Sequence, residues 1–222
     1  MARSHDTKLY DLLAAAPLIL WYALAIWQLA PGLAAEAAAL WPAYRPGALL
    51  DLTARAATLV FLGLQIVLFL IRRVPQAKAP GIGPRLAALI GSNIQLAFLA
   101  LPHAQMSLAA TALSAVLVTL GTVAAIVVAV WLGRSFSVFP QARRLVVRGP
   151  YRAVRHPLYL AEQIATWGVV LQYAQPWSVL IGAASFAAQF PRMHYEEQIL
   201  GEAYPGYADY AARTWRLIPY VY

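Results

Sequence analysis

Residues 108–132 read LAATALSAVLVTLGTVAAIVVAVWL, and this stretch decides the fold class because none of its side chains is charged. A helix of about 20 apolar residues is long enough to cross the hydrocarbon core of a bilayer. Similar apolar runs recur along the rest of the chain. We therefore expect an all-α fold, a polytopic integral membrane helical bundle.

The composition of the whole chain agrees with this expectation. Of its 222 residues, 61% are hydrophobic and 12% are charged, whereas soluble domains are about 25% charged. A soluble globular enzyme and a disordered chain are thereby excluded. The absence of cysteine excludes disulfides, a thiol nucleophile and cysteine-bound metal. The formal net charge is +8, but apolar runs separate the basic residues at regular intervals along the chain. We therefore expect a lipid bilayer as partner and no nucleic acid.

The apolar runs predict about six transmembrane helices. They cover Leu12–Ala30, Leu52–Ile71, Leu86–Leu101, Leu108–Leu132, Leu158–Ala174 and Trp177–Phe190. The third run contains Asn93 and Gln95, so the sequence defines its depth in the bilayer least well. Only Gln175-Pro176 separates the last two runs, which predicts a tight C-terminal helical hairpin. Pro191 is expected to end or kink the sixth helix.

The basic residues predict the orientation of these helices, since cytoplasmic loops collect Lys and Arg. With six spans, all but two of the 17 basic residues lie on the side of both termini, the exceptions being Arg45 and Arg55. Both termini are therefore expected in the cytoplasm, with the bacterial inner membrane as the location. A cleaved signal peptide in place of the first span is the alternative, but its apolar run exceeds the usual 7 to 15 residues.

The polar residues are distributed unevenly along the chain. Residues 1–132 contain few polar groups and are expected to form a scaffold of transmembrane helices. Residues 133–222 hold nine of the 15 arginines, four of the five glutamates and nine of the 12 tyrosines, and we expect the function there, within one structural domain.

The first motif of this second region is GPYRAVRHPLY at residues 149–159. Proline suits the first turn of a helix, so a helix is expected to begin at Pro157. The free N–H groups at a helix start favour an anion, and Arg152 and Arg155 add positive charge beside them. The alternative is a basic membrane anchor with a helix cap, in which His156 is an interfacial histidine.

A second motif, RMHYEE at residues 192–197, brings Arg192 and Glu196 onto one face of a helix. A surface ion pair is the alternative interpretation. However, the pair directly follows Phe190 and Pro191 at the expected membrane boundary, where an unused charge is costly. Glu162, one to two turns inside the fifth span, is a further candidate, unless it snorkels to the interface.

The tail YPGYADYAARTWRLIP at residues 204–219 is aromatic and basic. Two interpretations stay open for it: an amphipathic belt on the bilayer surface, or a lid over a cofactor.

Motifs for other chemistries are missing from the sequence. Gly81-Ile82-Gly83 lacks the third glycine of a dinucleotide-binding loop, since Leu86 occupies that position. His5, His103, His156 and His194 show no spacing suited to metal ligation, so we expect no metal site.

Four elements of the second region, taken together and in this order, resemble the isoprenylcysteine carboxyl methyltransferase family. They are Gly149-Pro150-Tyr151, Arg155-His156-Pro157-x-Tyr159, Arg192 with Glu196-Glu197, and the tail. More broadly, they resemble the phospholipid methyltransferase-like membrane enzymes. The resemblance covers about residues 133–222. It implies a cytoplasmic pocket for S-adenosyl-L-methionine and a lipid or prenylated substrate that enters from the bilayer.

The resemblance also implies roles for individual residues. Arg192 matches the arginine that meets the substrate carboxylate, and Glu197 or Glu162 would serve as a base for an amine acceptor. The family's histidine before the Leu-Val pair is replaced here by Arg143-Arg144. The positions matching cofactor contacts are Leu145, Val146, Tyr151, His156, Pro157, Leu158, Tyr159 and Glu196.

Carboxyl O-methylation of an isoprenylcysteine type is the function that this resemblance favours most. The nearest alternative is N-methylation of a phospholipid or another lipid. An NADPH-dependent reductase similar to the sterol reductases is a second alternative, because these carry a similar Arg-His-Pro-x-Tyr element. In that case Arg143, Arg144 and Arg148 would meet the 2′-phosphate. A non-catalytic membrane scaffold is the third.

Overall fold

The computed structural model describes residues 8–40, 47–173 and 176–222, and helices dominate it. Two strands of two residues each, β1 (Ala77–Lys78) and β2 (Gln141–Ala142), pair antiparallel. The α-helices are α1 (Lys8–Ala39), α2 (Ala48–Ile71), α3 (Gly83–Asn93), α4 (Leu108–Leu132), α5 (Pro157–Tyr173), α6 (Pro176–Ala203) and α7 (Tyr207–Ala211). The expected all-α membrane fold is confirmed.

Three helical segments in the described part of the chain are long and apolar enough to cross a membrane: α1, α2 and Leu108–Ser135, which is α4 with a short 3-10 extension. They coincide with the first, second and fourth expected spans. The other three spans, and with them the cytoplasmic position of both termini, stay predictions. Part of these expectations rests on residues that lie outside the described part of the chain, namely Arg3, His5, Arg45, Ala174 and Gln175.

The third expected span is divided into two kinds of helix. The α-helix α3 ends at Asn93, and a 3-10 helix continues over Ile94–Ala100. At the junction the Asn93 side chain donates a hydrogen bond to the Leu89 carbonyl, at 2.8 Å. A side-chain amide that competes for backbone carbonyls in this way explains why the polar residue marks the end of the α-helix.

Of the two effects expected of Pro191, the ending of the sixth helix is wrong, because α6 continues to Ala203, whereas the kink stays a prediction. Proline removes one backbone hydrogen bond, but it does not prevent a helix from continuing when tertiary contacts compensate. The following turns supply them, since Arg192, Met193 and Ile199 are all buried. The motif at residues 192–197 therefore lies in the middle of a long helix and not after its end.

The closest helix contact lies between α4 and α5. A Cβ atom on Gly121 would approach the Ala165 backbone nitrogen to 2.4 Å, and one on Gly168 would approach the Val118 nitrogen to 2.8 Å. Small residues at such positions let two helix backbones approach closely in a membrane. This contact holds the start of α5, and with it the His-Pro motif, against the end of α4.

A buried ion cluster connects the N-terminal helix to the rest of the fold. Asp11 of α1 accepts hydrogen bonds from Arg72 and Arg143, each with a shortest distance of 2.8 Å. All three residues are at most 3% exposed. Because Arg72 follows α2 and Arg143 follows β2, this cluster fixes α1, α2 and the β1–β2 pair to one another.

Candidate active site

The His-Pro motif has little regular structure before α5 begins at Pro157, as expected. The C-terminal tail compensates by pairing with it. The Arg155 N–H donates to the Trp215 carbonyl at 2.8 Å, and the His156 N–H donates to the Arg216 carbonyl at 3.1 Å. The segment from Ala153 to His156 is thus held like a strand beside the tail.

The turn before this motif requires glycine at position 149. Its φ is +61°, in the left-handed region that residues with a side chain rarely adopt. A Cβ atom here would also lie 2.5 Å from the Trp131 ring. The Gly-Pro turn thus packs directly on the end of α4, which sets the position of Tyr151.

Glu197 binds three cationic or polar groups that surround it. The His156 Nε2 atom lies 3.0 Å from its carboxylate, and Arg216 and Arg155 lie at 3.1 and 3.4 Å. Burial alone would raise the pKa of Glu197, but the hydrogen bond from His156 and the charges of His156, Arg155 and Arg216 lower it below its usual value. Since an ionised carboxylate only accepts hydrogen bonds, the Nε2 atom of His156 carries the proton.

Glu196, the neighbouring residue, points to different partners. The Tyr159 hydroxyl donates to its carboxylate at 2.8 Å, and the His156 Nδ1 atom lies 3.9 Å away. The rings of His156 and Tyr159 stack, with centroids 5.3 Å apart and planes 5° from parallel. His156 therefore lies between the two glutamates, with one ring nitrogen toward each.

Arg192 is 5% exposed and lies on the other side of Tyr159. Its guanidinium carbon is 4.4 Å from the centre of the Tyr159 ring, and its Nη1 atom donates to Gln189 at 2.9 Å. The nearest recorded carboxylate is Glu162, at 4.0 Å. Among the described atoms, the buried Nε of Arg192 has no hydrogen-bond partner. Arg192 is therefore a buried cation with unused hydrogen-bonding capacity.

Arg192, Glu162 and Glu196 line one cavity of about 240 Å3, which we call the central cavity. One side is aromatic and apolar, with Trp21, Tyr22 and Phe61. The lining also includes Gly91 and Gln95, and Gly91 lies against the Arg192 side chain. A ligand in this cavity would meet an apolar wall and a charged wall together.

A second cavity of about 40 Å3 adjoins the central one, and we call it the tail cavity because Tyr207 and Tyr210 line it. The two cavities share Leu132, Tyr151, Arg155, His156 and Glu196. Groups bound in the two cavities would therefore meet beside His156 and Glu196.

The structure distributes the predicted site residues over these cavities. Both cavities include Tyr151, His156 and Glu196. Pro157 begins α5, and Glu197 contacts the tail instead of lining either cavity. The tail cavity alone includes Leu145 and Val146, and the central cavity alone includes Leu158, Tyr159 and Arg192.

The N-terminal region contributes to the site in a way that the sequence motifs did not predict. Nearly half of the residues lining the central cavity come from residues 1–132, among them Trp21, Gln65 and Ser92. The Gln95 amide, noted only for its effect on depth, donates to the Thr166 hydroxyl of α5 at 2.6 Å. The sequence signal that could have indicated this contribution is the presence of polar side chains inside otherwise apolar runs, because they are rare there without a function.

The tail folds back over the His-Pro motif. The Tyr210 hydroxyl donates to the Tyr151 carbonyl at 2.8 Å, and burial raises the pKa of Tyr210 to about 12, so this donor keeps its proton. Leu217 is 1% exposed and packs with Tyr159 and Met193. Of the two interpretations of the tail, this contact supports the lid.

Arg143, the first residue of the Arg143-Arg144 pair, has its guanidinium bound by other groups of the protein. Its guanidinium donates to Asp11, to Gln141 and to the Arg73 carbonyl, and its side chain is completely buried. This arrangement argues against binding of a 2′-phosphate by Arg143. In the part of the chain that the structure describes, no three His, Cys, Asp or Glu side chains form a group that could hold a metal ion.

Comparison with known proteins agrees with this geometry. Residues 102–206 match the family described as phospholipid methyltransferase, a segment that includes the His-Pro motif and both glutamates. This match, over just under half of the chain, confirms the resemblance to the phospholipid methyltransferase-like membrane enzymes.

Two curated proteins are similar over a shorter stretch. The cobalt-zinc-cadmium resistance protein CzcN of Cupriavidus metallidurans is 33% identical over 76 residues, which cover 34% of this chain and 35% of that protein. The nickel-cobalt-cadmium resistance protein NccN of Alcaligenes xylosoxydans xylosoxydans is 31% identical over 80 residues, covering 36% and 38%. The chain thus matches little more than a third of the length of either relative.

Proposed function

We propose, from the phospholipid methyltransferase family match over residues 102–206, that this protein is an integral membrane methyltransferase that uses S-adenosyl-L-methionine and acts on a lipid-like acceptor. The observation that carries this proposal is the meeting of two cavities at His156 and Glu196, with a buried arginine beside them. A group-transfer enzyme needs donor and acceptor in contact in such an arrangement.

The residues around the tail cavity suit a cofactor of this chemistry. Leu145, Val146 and the rings of Tyr151 and Tyr207 offer apolar and aromatic surfaces for a purine, which the cavity of about 40 Å3 would admit once the tail moves away from it. Glu196, with its carboxylate 36% exposed, offers an acceptor for an ammonium group or ribose hydroxyls. When bound, the cofactor supplies an electrophilic methyl group on a sulfonium. Tyr159 holds the Glu196 carboxylate in place by its hydrogen bond.

On the acceptor side, Arg192 would bind and orient an anionic group. A guanidinium can hold a carboxylate through two parallel hydrogen bonds, and the unpartnered Nε of Arg192 is one of the donors needed. Gln189 and the Tyr159 ring keep the guanidinium in position. Trp21, Tyr22 and Phe61 would hold the apolar part of the acceptor and exclude water.

The favoured reaction is O-methylation of an acceptor carboxylate, as in the isoprenylcysteine type. A carboxylate has a usual pKa near 4 and is already ionised at neutral pH, so the protein need not remove a proton from it. Binding and orientation by Arg192 would then supply most of what the protein contributes.

N-methylation of a lipid amine is a second candidate, which the position of Glu162 favours. This carboxylate lines the central cavity, whereas Glu197 is bound to His156, Arg155 and Arg216 outside it. An amine acceptor needs a base to remove its proton. Of the two glutamates considered for that role, Glu162 is therefore the better placed.

Calorimetric binding of S-adenosylhomocysteine to the detergent-purified protein tests the cofactor assignment. We expect binding by the wild type and an affinity about 10- to 100-fold lower for Glu196→Gln, since a charge-assisted hydrogen bond is lost. Glu202→Gln on the same helix is the matched control and should bind like the wild type. Binding of NADPH without binding of S-adenosylhomocysteine would reassign the protein to the reductases.

The stability of the methylated product to alkali distinguishes the two acceptors. Membranes would be incubated with S-adenosylmethionine labelled in its methyl group. A methyl ester releases labelled methanol in base, whereas an N-methyl group stays on the lipid. We expect alkali-labile label from the wild type, and alkali-stable label that disappears in Glu162→Gln would establish the second candidate.

A further inference from the structure

A separate cavity, which we call the arginine cavity, is lined by four arginines from three segments. It has a volume of about 500 Å3. Arg73 follows α2, Arg134 follows α4, and Arg144 and Arg148 belong to the loop after β2. All four side chains are exposed, and no carboxylate occurs among its described lining residues.

The remaining walls of the arginine cavity are apolar. Trp131 and Leu132 at the end of α4 form one side, and residues 145–147 form another. Trp131 is 50% exposed and Val147 is 41% exposed. Tryptophan is enriched where a helix leaves the bilayer, at the level of the lipid headgroups. The cavity therefore combines a cationic part with an apolar part at the end of two membrane-spanning helices.

Four guanidiniums around one cavity repel one another unless an anion balances them. The ion pairs of the fold do not reach this cavity, because Asp11 binds Arg72 and Arg143, and Glu197 binds Arg155 and Arg216. Arg134 uses its Nε atom to bind the Ile71 carbonyl at 3.1 Å, which fixes one guanidinium at the cavity edge. Among the described residues, no carboxylate lining this cavity supplies the missing counter-charge, so an anion from outside the chain can balance the arginines.

We propose that the arginine cavity binds the phosphate headgroup of an anionic membrane phospholipid. Guanidiniums match phosphate oxygens through paired hydrogen bonds. Basic pockets at the cytoplasmic ends of membrane helices bind anionic headgroups for this reason. The exposed Trp131 and Val147 give the site an apolar part that suits a lipid better than a free phosphate ion. The site does not include Arg192. It shares Leu132, Ser135, Arg144, Leu145 and Val146 with the tail cavity, whereas Arg73 and Arg148 line only the arginine cavity of the three.

Thermal unfolding of the protein in neutral detergent tests this site. Phosphatidylglycerol, phosphatidylcholine and inorganic phosphate would be added separately over a range of concentrations. We expect phosphatidylglycerol alone to raise the Tm of the wild type. The double variant Arg73→Gln/Arg148→Gln should need about 30-fold more phosphatidylglycerol for the same rise, because each basic residue near a membrane surface contributes about a factor of five.

The matched control is Arg152→Gln/Arg213→Gln, which removes the same charge from two exposed arginines outside the cavity. This control should respond to phosphatidylglycerol like the wild type. An equal loss of the Tm response to phosphatidylglycerol in both double variants would show a general attraction between the basic protein surface and the anionic lipid. That result would overturn the proposed site. An equal effect of inorganic phosphate on the wild type would overturn the lipid assignment.

Native mass spectrometry of the wild type keeps the proposal testable if the double variant does not fold. Protein extracted from membranes of mixed composition should retain phosphatidylglycerol in preference to phosphatidylcholine by at least 10-fold. Retention in proportion to the bulk composition would contradict the proposal.

Discussion

Asp11 and Arg192 lie in two buried ionic regions of the same molecule that differ in how completely their charges are matched. Around Asp11, two guanidiniums each come within 2.8 Å of one carboxylate. Around Arg192, the nearest recorded carboxylate is 4.0 Å away, and a buried Nε has no partner in the described structure. The first region joins helices and lies outside the central cavity, with only Arg143 reaching the tail cavity, whereas the second faces the central cavity.

This difference in charge matching distinguishes a buried ionic cluster that holds the fold together from one that can bind a ligand. A buried charge whose partners all belong to the protein stabilises one arrangement of the chain, and removing a partner leaves an uncompensated charge. A buried charge whose hydrogen bonds are incomplete keeps capacity for a ligand. Sequence alone treats both as charged residues near the ends of apolar runs.

Asp11→Asn should have the largest effect on stability, because it leaves two buried guanidiniums without a counter-charge. We expect a loss of about 3–5 kcal/mol in the free energy of unfolding. Thermal or denaturant unfolding in detergent would measure it. A stability equal to that of the wild type would show that Arg72 and Arg143 find other partners, and the contrast with Arg192 would not hold.

Arg192→Gln should reduce activity strongly while changing stability much less. Losing a charged hydrogen-bond donor to the acceptor predicts a drop of about 100-fold in kcat/KM. Arg192→Lys should fail as well, since an ammonium lacks the fork geometry of a guanidinium. Transfer of labelled methyl groups to membrane lipid, measured beside the Tm of each variant, tests both. Full activity in either variant would remove Arg192 from the acceptor site.

Glu197 represents an intermediate case, half-buried and matched by His156, Arg155 and Arg216. Because its folded pKa lies below its usual value of about 4.5, its stabilising contribution is present above that pH and is lost as the pH falls through the folded pKa. We expect wild type and Glu197→Gln to differ in Tm at pH 7 and to converge as the pH falls below 4.5 and through the lowered folded pKa. A constant difference over this range would contradict the assignment.

Glu36 and Arg55 form an exposed pair at 3.1 Å and should show the smallest effect. Their side chains are 41% and 56% exposed, so solvent screens the attraction. Glu36→Gln should change the free energy of unfolding by less than about 0.5 kcal/mol. A larger loss in the same unfolding assay would mean that burial does not rank these ion pairs as proposed.

The fold class was predictable from the sequence because hydropathy is a local property. The uncharged run at residues 108–132 became α4 with the same bounds, and the His-Pro motif begins α5 as expected. Pro191 was misjudged because its effect depends on what the following turns pack against. The break at Asn93 depends on a side-chain hydrogen bond that the sequence does not specify.

The candidate site was predictable in composition and not in arrangement. Residue types and their order indicated the methyltransferase-like motif, and residues 102–206 match that family. Sequence could not tell that Glu196 faces the cavities while Glu197 binds the tail, since one residue of helix rotation separates them. It also could not show that Trp21 and Gln65, far away in the chain, complete the central cavity.

The sequence by itself determined that this chain is a helical membrane protein, because apolar length is read along the chain, and it predicted that the functional chemistry lies near one group of motifs. The tertiary structure alone decided which charges are neutralised and which are available. Asp11 meets Arg143 across 132 positions and His156 meets Glu197 across 41, and contacts over such separations follow from helix packing.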